Sequence, residues 1–398
     1  MFESRPAMPA LTTLRLFAAL AIVVHHCNGV FWPAAQLGPL DAGVSFFFVL
    51  SGFILTCVYR DVLADADGAA RWHFYRARLA RIWPLHLACL CLCLLFLPLP
   101  KPFSWPVLIA NAALLQAWIP WDRYFFSYDY ASWSISTELF FYAVFPLLMA
   151  TGKRVILFVL LLSIMLVALL VELSAVTHLP SWAPSGQQLS STGLLYGFPL
   201  ARLSEFVLGV VCGLGFPARE NAIRPTAPGL RWTLLECAIL AALMLAFAAC
   251  RFGLAPWLHR AMLAVHFTSV PLVAPAQEAT TLAVISPLAG LITREWADHV
   301  CLAPFAAGLI VVFSRQRGWI TAGLSNRYLV FGGEISFALY LLHQLVLRLM
   351  QQHLTHFDDG SGFALYLVVI GIGAAILHLA VEQPARRWLM GRKNPGRF

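Results

Sequence analysis

Arg15 and His26 stand eleven residues apart in LRLFAALAIVVHHCNG, an otherwise apolar run. On a helix that spacing turns through about 1100 degrees, roughly 20 degrees from whole turns, with a rise of roughly 16 Å. The two side chains therefore share one face at two depths. An ionisable group inside an apolar run is costly and is a functional candidate by default. A neutral imidazole there can take a proton from a hydroxyl as general base. The competing reading is a snorkelling arginine and a histidine held by a backbone carbonyl. His25, turned about 100 degrees away, reads as structural.

Further chemistry-bearing residues lie along the chain. Arg76, Arg78 and Arg81 in FYRARLARIWPLH precede an apolar run, where planar guanidiniums can grip phosphate through paired hydrogen bonds. A cytosolic, phosphate-rich molecule such as a coenzyme A thioester would suit them, as would a plain topology signal or contact with anionic lipid. SWSISTELFFY brings Trp133, Ser134, Ser136 and Glu138 to the start of another run. Its carboxylate needs a partner, either an arginine to hold, a histidine to orient, or a packing pair. Arg202 and Glu205 in RLSEFVLG are three apart and read first as a local ion pair. Glu334, His343 and His378 are candidates for pairing across helices. Aromatic residues Trp105, Trp118, Trp121, Tyr124, Phe125, Phe126, Tyr128, Tyr130 and Trp133 would stack on sugar faces or form an interfacial belt.

The elements that must hold these residues follow from composition. The chain of 398 residues is 60% hydrophobic and 12% charged, against about 25% charged in soluble proteins. That excludes a water-soluble fold. Apolar runs recur near 9–30, 42–59, 82–99, 104–119, 132–150, 155–173, 200–216, 232–250, 299–314, 335–352 and 362–381, most near the length a helix needs to cross a bilayer. They do not alternate residue by residue, so a transmembrane barrel is excluded. The expected fold is all-α, one polytopic membrane domain over residues 1–398. The nine cysteines are scattered, most inside apolar runs. They read as small core hydrophobes, with no metal site expected. The first run resembles a signal peptide but is long and carries Arg15, His25 and His26, so it is read as the first span.

The net charge of +8 comes from 27 basic residues against 19 acidic ones. The bases cluster beside apolar runs, without a zinc finger or basic stripe, so they report topology rather than nucleic-acid binding. The loop with Arg60, Arg71, Arg76, Arg78 and Arg81 is expected inside, as are Lys153 and Arg154. An even number of crossings must separate them, which leaves 104–119 at the outer interface or re-entrant. Ten spans with both termini cytoplasmic result, placing 19 bases inside and 5 outside. The apolar pieces of 252–298 are open to re-entry.

Taken in order, LRLFAALAIVVHHCNG, GVSFFFVLSGFILT, FYRARLARIWPLH, SWSISTELFFYAVFPLL, RLSEFVLG, GEISFALYLLHQ and VEQPARR resemble the membrane-bound acyltransferase family 3 over about residues 10 to 388. The resemblance implies about ten spans and transfer of an acyl group from a cytoplasmic donor such as acetyl-CoA. It implies hydroxyl acceptors on surface glycans or their lipid-linked precursors, or small molecules such as a macrolide. It carries His26 and Arg15 over as catalytic residues, and Arg76, Arg78 and Arg81 as donor-binding ones. Glu138 is expected to orient these groups. Trp133, Ser136, Arg202, Glu205 and His343 are expected to support the site or the substrate. A bacterial inner-membrane location and polysaccharide-assembly partners are expected with it. The sequence departs from the family pattern at Ser45, often Asp, and at Glu138-Leu139, often a paired Glu-Glu. Many relatives carry a soluble esterase-like domain beyond the membrane domain, whereas about ten residues follow Arg387 here. The membrane domain is therefore expected to complete transfer itself or with another protein. The rival classes are a proton-coupled exporter, since intramembrane Arg, His and Glu also suit one, and an assembly scaffold.

Overall fold

The computed structural model describes residues 8–31, 40–64, 67–177, 179–183, 186–216, 228–250, 301–354 and 360–391. The described residues form helices and connecting turns with no strand. In chain order the helices are α1 (Pro9–His26), α2 (Gly43–Leu63), α3 (Gly68–Phe96), α4 (Trp105–Ala112), α5 (Asp122–Phe125), α6 (Trp133–Met149), α7 (Lys153–Val176), α8 (Leu203–Leu214) and α9 (Leu230–Ala249). After these come α10 (Ala303–Phe313), α11 (Trp319–Leu324), α12 (Arg327–Glu334), α13 (Ser336–His353), α14 (Gly360–Leu377) and α15 (Gln383–Met390). A π-helical stretch, His378–Glu382, joins the last two.

α1 opens on Pro9, at the position where a missing N–H costs nothing. It ends before Gly29, whose φ of +78° reverses the chain. α3 is capped by Asp67, which accepts from the Ala70 N–H at 2.8 Å. It then runs without a break for 29 residues, through Pro84. That is roughly 43 Å, longer than the roughly 30 Å hydrocarbon core. The sequence reading placed Arg76, Arg78 and Arg81 in a linker ahead of a span starting at 82. They lie instead on the helix itself, because nothing between the Asp67 cap and Pro84 interrupts it.

Among the described residues seven helical segments are long and apolar enough to cross a membrane, starting at Pro9, Leu40, Gly68, Tyr130, Lys153, Leu230 and Gly360. α12 and α13 make an eighth if their 59° bend lies within one span. Two of the ten expected spans are short. α8 has 12 residues and α10 has 11, roughly 18 and 17 Å. Pro199 and Gly215 bound α8 where the apolar window alone suggested a full crossing. α4, at eight residues, does not cross either. The expectation of re-entry in 252–298 lies outside the described residues.

α8 is enclosed by protein, with Phe206, Val207 and Val210 fully buried. A Cβ on Gly52 or Gly209 would collide with the facing backbone of α8 or α2, so small residues let these two helices close on each other. Gly333 does the same for α12 against Thr12 of α1. Phe158, Leu161, Met165 and Leu169 of α7, Met244 and Leu245 of α9, and Val368, Ile372 and Ile376 of α14 point outward. That arrangement suits contact with lipid chains.

Candidate active site

α1 carries candidate groups at both ends, and each end meets a different set of neighbours. At the C-terminal end, His26 Nδ1 lies 2.9 Å from the Ile22 carbonyl and 3.2 Å from His343 Nε2. His343 Nδ1 in turn contacts the Tyr340 carbonyl. A carbonyl can only accept, so both Nδ1 atoms carry hydrogen, and the His26 Nδ1–H is shared between Ile22 O and His343 Nε2. The network thus puts the hydrogen on Nδ1 in both rings, and in the neutral form of His26 it leaves Nε2 with a free lone pair. Tyr366 fixes the other side of this relay, its hydroxyl donating to the His343 carbonyl at 3.1 Å.

His26 lines a cavity of about 750 Å³. Its wall includes His25 and Asp41, Tyr340, Gln344 and Arg348 of α13, and an aromatic set of Trp133, Tyr196, Phe126, Tyr130 and Trp182. His25 was read as turned away from the site. It nonetheless reaches the same wall, with Nδ1 3.7 Å from Asp41 Oδ1, because α1 ends here and its last turn opens to the cavity from several directions.

Arg202 and Glu205 form the expected local pair, with no solvent exposure at the arginine. Arg202 Nε donates to Glu205 Oε2 at 2.6 Å and Nη2 to Oε1 at 2.9 Å, while Nη2 also reaches Ser45 Oγ at 3.0 Å. The guanidinium faces the rings of Phe48, Trp133 and Tyr196. The Trp133 and Tyr196 rings lie 4.4 Å apart, tilted at 46° to each other, so the buried pair backs two aromatic walls of the cavity. Ser136 donates to the Leu114 carbonyl at 2.7 Å and accepts from the Ala117 N–H at 3.3 Å. It ties α6 to the turn after α4. Ser134 sits 2.9 Å from the Tyr340 hydroxyl, bracing the residue whose carbonyl holds His343.

Toward the N-terminal end of α1 the groups are charged. Arg15 is under the electrostatic influence of Arg81, Glu382, Glu138 and Tyr142. Arg81 shares Tyr142, Glu382 and Glu138 and adds Tyr59. Arg386 joins through Arg81, Arg78 and Glu382. Glu138 accepts hydrogen bonds from the Tyr142 hydroxyl and, at 3.3 Å, from Ser51. Arg78 donates from Nη2 to the Tyr59 hydroxyl at 3.0 Å while its Nε is buried without a partner. Arg76 is exposed, near Gly391 at the end of α15.

The structure therefore separates residues that the sequence grouped. Arg15 and Glu138 sit with the basic cluster, a helix length of roughly 16 Å from His26. His343 pairs with His26, and His378 pairs locally with Glu382 at 2.8 Å, whereas Glu334 is exposed. The expected pairing among Glu334, His343 and His378 does not form, because the bend after Glu334 turns it away from the helix that carries His343. Tyr142, Glu382, Arg386, Tyr340 and Asp41 were missed. Tyr142 follows Glu138 by one turn, and Glu382 and Arg386 are also four apart in VEQPARR, a spacing that signals one shared face.

A family model described as an acyltransferase domain matches residues 8–381. Among curated proteins, acyltransferase MdmB of Streptomyces mycarofaciens is 28% identical over 417 residues, covering 98% of this chain and 94% of that protein. No solved structure matches the chain.

Proposed function

The chain belongs to acyltransferase family 3, and from that premise we propose that it moves acetyl from acetyl-CoA to a hydroxyl of a cell-envelope glycan or its lipid-linked precursor. The observation that carries this reading is the arrangement along α1. A neutral, tautomer-fixed imidazole lines a cavity at one end, and a cluster of guanidiniums gathers at the other.

Arg78, Arg81 and Arg386 would hold the nucleotide phosphates, with Arg76 at their exposed edge. The unpartnered Nε of Arg78 suits an anion, since a buried donor without an acceptor is unfavourable. Glu138 and Glu382 orient the arginines by charge. Arg15 lies on the same helix as His26, roughly 16 Å from it, a span that the extended arm of the donor would bridge. His26 Nε2 takes the proton of the acceptor hydroxyl as the oxygen attacks the thioester carbonyl. The C–S bond then breaks, and the proton returns to the departing thiolate. An acyl-histidine relay uses the same nitrogen and gives the same products. His343 holds the imidazole in the reactive tautomer. Trp133, Tyr196 and the other aromatic walls receive the sugar.

The charge pattern supports an orientation with the basic cluster facing the cytoplasm and the cavity facing outward, in a bacterial inner membrane. A second reading, a small-molecule hydroxyl as acceptor, is favoured by the cavity volume, which falls in the range of small-molecule sites. Proteoliposomes given acetyl-CoA labelled in the acetyl group test the proposal. Release of CoA with transfer of label to added glycan supports the first reading, and label on small hydroxylated molecules alone supports the second. Movement of solute without thioester consumption would defeat both.

A further inference from the structure

Cys250 and Cys301 are 51 residues apart in the chain, yet their Sγ atoms lie 2.8 Å apart. Cys250 follows the last residue of α9, and Cys301 lies two residues ahead of α10. They sit in a small apolar cluster with Ala42 and Leu302, flanked by Phe247 and Phe305. Gly308 of α10 fits against Ile239 of α9, so the two helices are already packed together and the thiols meet without movement of either. Two thiols in plain contact stay farther apart than this, and the bond itself needs about 2.05 Å, within the reach of a side-chain rotation.

Charge places this end of both helices away from the cytoplasm. Arg231 marks the other end of α9, which is long enough to cross, and the positive-inside rule puts the cytoplasm there; Arg315 and Arg317 lie after the corresponding end of α10. Asp41, beside Ala42, lines the cavity that holds His26. We propose that Cys250 and Cys301 form an intramolecular disulfide on the outer face, clamping α9 and α10 together at the rim of that cavity. The inference rests on the charge-derived orientation and is independent of the acyl donor. Oxidation forms one S–S bond and removes two protons and two electrons. These pass by thiol–disulfide exchange to a disulfide-bearing oxidant of the outer compartment, which leaves as a dithiol. The pair thereby departs from the reading of all nine cysteines as core hydrophobes.

Counting thiols in the full-length protein tests this. Membranes are denatured in SDS and treated with a maleimide that adds a fixed mass per thiol. Without prior reduction seven of the nine cysteines should react, and after reduction all nine. Cys250→Ser and Cys301→Ser should each give eight under both conditions. Nine adducts in the unreduced wild type would overturn the disulfide, as would a gain of two on reduction that persists in Cys250→Ser. Orientation is read separately. In Cys250→Ser, a membrane-impermeant maleimide applied to intact spheroplasts should block the partly exposed Cys301, judged against the double serine variant. Blocking only after permeabilisation would overturn the orientation and the disulfide with it, whereas outside blocking without a disulfide would sink the disulfide alone.

Discussion

The two ends of α1 solve opposite electrostatic problems. The groups that His26 and His343 contact directly are uncharged and anchored to carbonyls, with the charged Asp41 and Arg348 kept to the cavity wall. Ile22 and Tyr340 hold the two imidazoles, Ala131 accepts from Tyr340, and Tyr366 closes on the His343 carbonyl. Around Arg15 four guanidiniums, those of Arg15, Arg78, Arg81 and Arg386, meet two carboxylates, Glu138 and Glu382. A neutral network fixes geometry and suits proton transfer, where position and tautomer decide the rate. An excess of positive charge fixes nothing until an anion arrives, and so suits binding. The difference assigns chemistry to one end of the helix and recognition to the other.

The largest expected effect tests that assignment at its sharpest point. His26→Ala should reduce kcat by about 100- to 10,000-fold, the usual contribution of a general base, with the KM for acetyl-CoA little changed. His25→Ala, on the same cavity wall but outside the relay, should retain substantial activity. Equal losses in the two variants would mean that the relay geometry is not what selects His26.

The support behind the cavity should respond in stability. Glu205→Gln leaves the fully buried Arg202 without its countercharge, and breaking such a pair by removing one partner costs about 3–5 kcal/mol. Thermal unfolding in detergent should show a large drop, with the KM for acetyl-CoA unaltered in the fraction that folds. A variant of wild-type stability would show that Ser45 and the surrounding rings carry the charge unaided.

At the other end of α1 the effects should fall on binding. Phosphates of the donor do not change during acyl transfer, so Arg81→Gln or Arg78→Gln should raise the KM for acetyl-CoA, by roughly ten- to a hundredfold, and spare kcat. Arg15→Lys discriminates further. It keeps the charge and loses the planar fork. A rise in KM places Arg15 with the cluster, as its neighbours indicate. A kcat loss of about 100- to 1000-fold would place it at the thioester carbonyl instead, and the division between the two ends would have to be redrawn.

Part of this site was legible in the sequence because its relations are local. Arg15 and His26 share a helix, so periodicity alone related them, and Arg202 and Glu205 are close enough for spacing to pair them. His343 is 317 residues from His26, and no local rule reaches across that separation. The basic cluster was half visible. Arg78 and Arg81 stood out as bases beside a span, but Glu382 and Arg386 arrive from the far end of the chain through the π-helical stretch after α14. Hydropathy alone does not set span length, and among the described residues seven or eight segments are long enough to cross against the ten expected. α8 and α10 are apolar enough to cross yet too short, because both are enclosed by neighbouring helices rather than sized by the bilayer.

The smallest expected effect asks whether the neutrality of the His26 end extends to its surroundings. Asp129, just ahead of α6, is 1% exposed, and burial pushes its carboxyl up to about 7, against the opposing pull of the Ala131 N–H and Arg348. Its Oδ2 is buried without a hydrogen-bond partner. In the unfolded chain the same group titrates near 3.9, so between the two values the folded protein binds the proton more tightly. Its contribution to stability is then fully present below about pH 4 and is lost as pH rises through about 7. The ceiling on that loss is about 4 kcal/mol, from roughly three pH units at 1.36 kcal/mol each. Asp129→Asn removes the titration. The wild type should therefore lose melting temperature between pH 5 and 8 by more than the variant does. Parallel melting curves for the two proteins across that range would mean that Asp129 is charged in the fold and that its ionisation is balanced by Arg348, which would place a working ion pair in a region assigned here to neutral groups.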